Sequence, residues 1–226
     1  MAPTATAHLA GAIGSLLHDV ELGRPLYAYG EIGSTSDLLK DLAAAGATEG
    51  TAVIALGQSR GRGRRERVWH SPPGRGLYLS VLLRPDWPAA EAGWLAVLGG
   101  LAVAQALERH GVAGVAIKHP NDVMAGGRKI AGILIEPRLG GGRIEHAVVG
   151  IGVNLAQDEG DWRGTPLEGR ATSCAAAGRP WPLEQAAAAV LRELDLVYRG
   201  AETGRRAQLL EEWVRRGGRR EVPGIT

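Results

Sequence analysis

The sequence predicts an α/β (α+β) fold, a mixed β-sheet with flanking helices, on three observations. Its segments run as helices, then strands and a long helix, then a strand pair, then helices again. Strict β-α alternation is missing, which disfavours a doubly wound parallel sheet. Two strand-like runs, "RKIAGILIEPR" (128–138) and "RIEHAVVGIGVNL" (143–155), are joined by a Gly-rich turn and read as an antiparallel hairpin.

The elements follow in order. Leu9, Ile13, Leu16, Leu17 and Val20 have helical spacing over 7–22, stopped by Gly23. "GSTSDLLKDLAAAGA" offers Ser34 or Ser36 as an N-cap, Asp37 in the first turn and Gly46 as the stop. "GTAVIAL" (50–56) and "GLYLSVLLRP" (76–85) are strands, the second ended by Pro85. "AEAGWLAVLGGLAVAQALERHG" (90–111) is the strongest helix. "GVAIK" (114–118) is a strand entering "HPND", which Pro120, Asn121 and Asp122 mark as a turn. Helices are expected over 183–199 and 204–216.

At 226 residues the chain suits one substantial domain with at most a small appendage. A net charge of +2 is too small for a global polyanion binder, so positive charge is a local matter. The single cysteine, Cys174, excludes an intramolecular disulfide framework and a multi-cysteine zinc site, and reads as a small partly buried residue in a reducing interior. The N-terminus lacks the basic and apolar regions of a signal peptide, and no stretch approaches the ~18 uncharged apolar residues of a membrane span. Leu95–Leu107 reads instead as a buried helix. The expected compartment is the cytoplasm.

Four motifs carry chemistry. "SRGRGRRER" (59–67) holds five arginines. Gly61 and Gly63 free the backbone to present N–H groups, and Arg62, Arg64, Arg65 and Arg67 add guanidinium forks for carboxylate or phosphate oxygens. The spacing is not that of a Walker loop. Read alone, it is a solvated basic loop, an anion-binding loop or an RNA-binding segment, although no aromatic platform is interleaved with it. "KHPND" (118–122) puts an ammonium, an amide and a carboxylate at one strand end, or simply closes an Asx-type turn. "GRKIAGILIE" (127–136) inserts Lys129 and Gly132 into an apolar strand, where a lysine either snorkels outward or faces an anion. "GIGVNL" (150–155) ends a strand with Asn154 beside glycines that permit close backbone approach.

Taken in order, "STS" (34–36), "GQSRGRGRRERVW" (57–69), "GLYLSVLLRP", "KHPND", "RKIAGILIE" and "VVGIGVNL" resemble the biotin protein ligase (biotin–[acetyl-CoA-carboxylase] ligase) family, with looser similarity to about Trp213. The resemblance implies a catalytic domain over 1–215, similar in fold to class II aminoacyl-tRNA synthetases. Residues 216–226 would then begin a C-terminal SH3-like domain that is truncated or absent. It implies ATP, Mg²⁺ and biotin as the small molecules, and a biotin carboxyl carrier protein or domain of acetyl-CoA carboxylase or a related enzyme as acceptor. Biotinyl-5′-AMP would form first, and a lysine of the acceptor would then take the biotin. Neither step needs a protein nucleophile.

Carried over by position, Ser34, Thr35 and Gln58 would bind the biotin head group, with Arg62 in the loop closing over biotin and Gly132 admitting substrate to the strand backbone. Lys129 and Arg64 would be catalytic, Lys129 bridging the reacting carboxylate and α-phosphate. Arg67, Trp69, Asn121, Asp122 and Asn154 would serve ATP, with Mg²⁺ held through the phosphates and by Asp122. Three positions depart from the family's usual residues: His119 for Trp, Ser36 for Asn, and Glu66 for a Gly inside the loop. No helix-turn-helix precedes residue 25, so a DNA-binding repressor form is not expected. Oligomeric state stays open, a homodimer included. The rival readings are a lipoate or octanoate ligase or transferase on the same fold, and a non-catalytic RNA-binding protein using the Arg-rich loop.

Overall fold

A computed structural model of the chain describes residues 6–221. Seven strands form one mixed sheet in the order β1-β2-β3-β7-β6-β5-β4. They are β1 (Leu26–Ile32), β2 (Ala52–Gln58), β3 (Gly76–Leu83), β4 (Val115–Lys118), β5 (Asp122–Ala125), β6 (Arg128–Gly140) and β7 (Arg143–Asn154). Only β1 and β2 pair in parallel; every other neighbour is antiparallel. The helices are α1 (Ala7–Gly14), α2 (Thr35–Ala44), α3 (Gly93–Arg109), α4 (Glu159–Trp162), α5 (Leu183–Glu202) and α6 (Arg206–Arg215). The mixed sheet with flanking helices is the architecture expected from the sequence.

Period-two alternation divides the sheet into two faces. Leu77, Leu79 and Val81 of β3 and Val149, Ile151 and Val153 of β7 join α3 and α5 in the main core. Val53, Ala55, Leu82 and Val148 face the other way, against Leu39 and Ala43 of α2. On that second face α2 covers one end only. Ser80, Gly150, Gly152, Gly132 and Leu134 continue the face beyond it, so three of its positions there carry no side chain.

Several boundaries differ from expectation. The first helix ends at Gly14; the chain then turns, with Asp19 at φ 57°, yet Leu17 and Val20 remain buried, so their helical spacing reflects burial rather than helix. β1 carries no strong apolar alternation, because it lies at the sheet edge with Tyr27 41% exposed. Asp122 is the first residue of strand β5 and not part of a closing turn. Ala89–Arg109 is long and apolar enough to cross a membrane, contrary to the sequence expectation, but most of it is buried against the sheet and α5.

After α6, Ile117 N–H of β4 donates to Arg216 O (2.6 Å), and Trp213 Nε1 donates to Arg219 O (3.0 Å), so this segment is tied to the sheet edge. The expected start of a further domain at 216–226 falls partly on 222–226, outside the described residues.

Candidate active site

A cleft of about 640 Å³ opens on the α2 face. Its floor is the β6–β7 pair, where Gly132 stands opposite Gly152. The Trp69 indole lies directly on these glycines: a Cβ at Gly132 would come within 2.8 Å of the ring, and one at Gly152 would collide with it. The indole N–H is buried without a protein partner. A buried donor of this kind costs stability unless something accepts from it.

At the α2 end of the floor, five polar side chains form one chain of hydrogen bonds. Thr35 N–H and Oγ1 both donate to Gln58 Oε1 (2.9 and 3.1 Å), Gln58 Nε2 donates to Ser71 Oγ (3.0 Å), and Ser80 Oγ lies 2.8 Å from Thr35 Oγ1 and 3.0 Å from Ser36 Oγ. Each hydroxyl carries one proton, so the order of donation is Ser36 to Ser80 to Thr35 to Gln58. Ser36, replacing the usual Asn, thus ties α2 to β3. Ser34 caps α2 as expected, its Oγ accepting from Asp37 N–H (3.4 Å), and lines the cleft. Ser80 carries no motif in the sequence; its one signal is a hydroxyl within an otherwise apolar strand, "LYLSVLL".

The other end of the cleft is cationic. Lys129 enters from β6, with Nζ 2.6 Å from Asp122 Oδ1 and 5.1 Å from the Trp69 ring centre. Its main chain is clamped: Lys129 N–H donates to Arg170 O, and Thr172 N–H donates to Lys129 O (2.8 Å each). Asn121 is equally fixed, donating through Nδ2 to Ile133 O (3.0 Å) and accepting from Arg64 Nη1 on Oδ1 (3.2 Å). Lys118, Arg65, Arg67 and Arg219 also line this end, and Asp122 is the one carboxylate among the described lining residues. Arg219, placed by the turn after α6, had no sequence signal. His119 lines the cleft as well, packs edge-on against Trp213 (6.3 Å), and has its pKa lowered by burial and then by Arg219 and Arg64.

The loop arginines go to different partners. Arg60 packs on Gly33, Arg62 pairs with Asp37 and Glu136, Arg64 meets Asn121, and Arg65 sits in the left-handed region at φ 55°. Gly63 N–H donates to Arg67 O (2.7 Å) and Trp69 N–H to Gly61 O (3.0 Å), closing 61–69 into a flap. Gly61 is required there, since a Cβ would strike Trp69 O. The Glu66 side chain lies outside the described residues.

Ser34, Thr35, Gln58, Arg62, Arg64, Arg67, Trp69, Asn121, Asp122, Lys129 and Gly132 thus share one cleft. Asn154 does not line it. Its buried amide donates to Thr172 O (2.9 Å) and accepts from Gln157 Nε2 (3.3 Å), holding the segment that clamps Lys129. Cys174 is fully buried and its thiol is pushed up to about 12 by desolvation, which makes it inert. No group of three or more His, Cys, Asp or Glu side chains among the described residues could hold a metal. A single carboxylate, Asp122, beside a cationic cleft would fit Mg²⁺, which typically uses one or two carboxylates plus substrate phosphates.

The family model described as the biotin/lipoate A/B protein ligase family matches residues 30–154. This chain belongs to that family. Among relatives of the ligase family, the bifunctional ligase/repressor BirA of Bacillus subtilis (strain 168) is 38% identical over 141 residues, covering 62% of this chain and 43% of BirA. The biotin–[acetyl-CoA-carboxylase] ligase of Mycobacterium tuberculosis is 37% identical over 139 residues, 59% of this chain and 50% of that protein. The chain therefore spans about half the length of the curated ligases it matches, or less. Biotin protein ligase from Aquifex aeolicus, in complex with biotin and ATP, superposes with a TM-score of 0.69 at 30% identity, over 83% of this chain and 76% of that one. The Leishmania major ligase in complex with biotinyl-5-AMP gives 0.69 at 26% identity, over 84% and 80%.

Proposed function

We propose that this chain is an ATP-dependent biotin–protein ligase. The observation that carries this reading is the polarity of the cleft. A preformed hydroxyl–amide network at the α2 end suits the ureido head of biotin, and Lys129 with Arg64 stands at the other end beside further cations. In the first step a biotin carboxylate oxygen attacks the α-phosphorus of ATP, the bond to the β-phosphate breaks, and pyrophosphate leaves. Two anions meet in that step, and Lys129 and Arg64 stabilise the charge that develops. Arg65, Arg67, Lys118 and Arg219 would face the polyphosphate, and Asp122 would help hold Mg²⁺, which would screen the phosphate charge. Trp69 offers adenine its ring. In the second step the ε-amine of an acceptor lysine on a carboxyl carrier attacks the acyl carbon, AMP leaves, and the amine loses a proton.

The convergence of Arg62, Arg64, Arg65 and Arg67 on one concave cleft, rather than along an open surface, argues against an RNA-binding strip. The lipoate alternative lies within the same family, and an exchange assay separates it. ATP–pyrophosphate exchange is expected to require biotin and to ignore lipoate. Exchange with lipoate alone would transfer the reading to that acid, and none with either would overturn it.

A further inference from the structure

Arg62, which lines the cleft, roots the flap in a cluster of charge whose other members, Asp37, Lys40 and Glu136, lie outside it. Its Nη2 donates to Asp37 Oδ1 of α2 (2.6 Å) and to both carboxylate oxygens of Glu136 on β6 (3.1 Å each). Lys40 Nζ lies 3.0 Å from Asp37 Oδ1 and 3.0 Å from Glu136 Oε1. Two cations and two anions from three elements thus share their partners, and Lys40 offsets the repulsion between the carboxylates. Arg62 also forms the antiparallel bridge to Val68 at the flap's base. An isolated exposed pair contributes only ~0–1 kcal/mol. Here each carboxylate serves two cations at once, and Glu136 is shielded, with its side chain 23% exposed.

We infer that Asp37 and Glu136 are positioning residues that latch the flap through Arg62, so that retention of the acyl-adenylate is governed by an ionic lock outside the cleft. Neither acid lines the cleft, and neither would touch the reacting atoms. The guanidinium of Arg62 is committed to them, so its contribution to biotin is made by holding the loop in place. Because the lock is partly exposed, salt screens it. The flap opens more often at high ionic strength, and the adenylate escapes faster.

The retention part of this inference rests on the ligase reading; the latch itself does not. Two measurements on the full chain keep them apart. In the unliganded protein, hydrogen–deuterium exchange of amides 61–69 should rise about tenfold in Glu136→Gln and Asp37→Asn, a coupling within the ordinary range for contacting residues. In an Arg62→Gln background the same substitutions should add little. Unchanged flap protection, or full additivity with Arg62→Gln, overturns the latch whatever the enzyme does. With biotin and ATP, release of labelled biotinyl-AMP should accelerate with added salt in the parent, and this dependence should flatten in Glu136→Gln. Release equally salt-dependent in both overturns the retention claim, whereas a parent that forms no adenylate overturns the ligase reading and leaves the exchange result standing.

Discussion

Lys129 Nζ is held 2.6 Å from Asp122 Oδ1 across the β5–β6 pair, with the centre of the Trp69 ring 5.1 Å away. The lysine is therefore oriented before any substrate arrives, and a carboxylate or phosphate oxygen can exchange for Asp122 at little cost in reorganisation. Lys129→Ala should lower biotin-dependent ATP–pyrophosphate exchange at least ~100-fold, the scale of losing one preorganised electrostatic donor. Thermal unfolding should stay within a few degrees of the parent. Near-normal exchange would remove Lys129 from the reaction.

Gly152 supports the Trp69 ring, and no side chain fits between them. Gly152→Ala should lift the indole off the floor, seen as a red shift in tryptophan emission, and raise KM for ATP about tenfold, equivalent to ~1.4 kcal/mol of lost binding. The strand itself should tolerate alanine. A shifted spectrum with unchanged KM would show that adenine does not use the ring.

Asn154 lies one strand end away from Lys129 in the chain's hydrogen bonding: its amide holds Thr172, and Thr172 holds the Lys129 main chain. Asn154→Ala should cost ~1–3 kcal/mol by urea unfolding, because a buried carbonyl and a buried amide lose their partner. It should also lower kcat for exchange more than it raises KM for ATP. A raised KM with kcat intact would instead favour direct contact with nucleotide.

His146 on β7 is 9% exposed, and burial, followed by Arg84 and Arg138, lowers its pKa, with Glu145 opposing. The unfolded chain then binds a proton more readily than the fold does. The stabilising effect of the neutral ring is present above about pH 6.5 and is lost as pH falls below that value towards the lower folded pKa. The difference in urea midpoint between about pH 7.5 and about pH 5 should shrink in His146→Gln. An equal difference in both proteins would exclude His146 as a source of acid sensitivity.

Much of the architecture was legible because burial imposes a period on the sequence. β2, β3, β4, β6, β7, α2, α3, α5 and α6 all announce themselves through apolar spacing and glycine or proline stops. β1 was not, because an edge strand with an exposed Tyr27 needs no alternation. The extension of α1 to 22 failed because Leu17 and Val20 keep helical spacing while packing from turns.

For the site, residue chemistry singled out the arginine loop, Asp122 and Lys129 without choosing between site and surface roles, and only the family resemblance added Thr35 and Gln58. Tertiary structure decided what each one does to the others. Ser80 reaches Thr35 across 45 residues, Arg62 reaches Glu136 across 74, and Arg219 arrives from the turn after the last described helix. No local pattern encodes such pairings. They exist because the antiparallel register sets Gly132 against Gly152 and leaves the floor bare, so that side chains from distant segments converge on it.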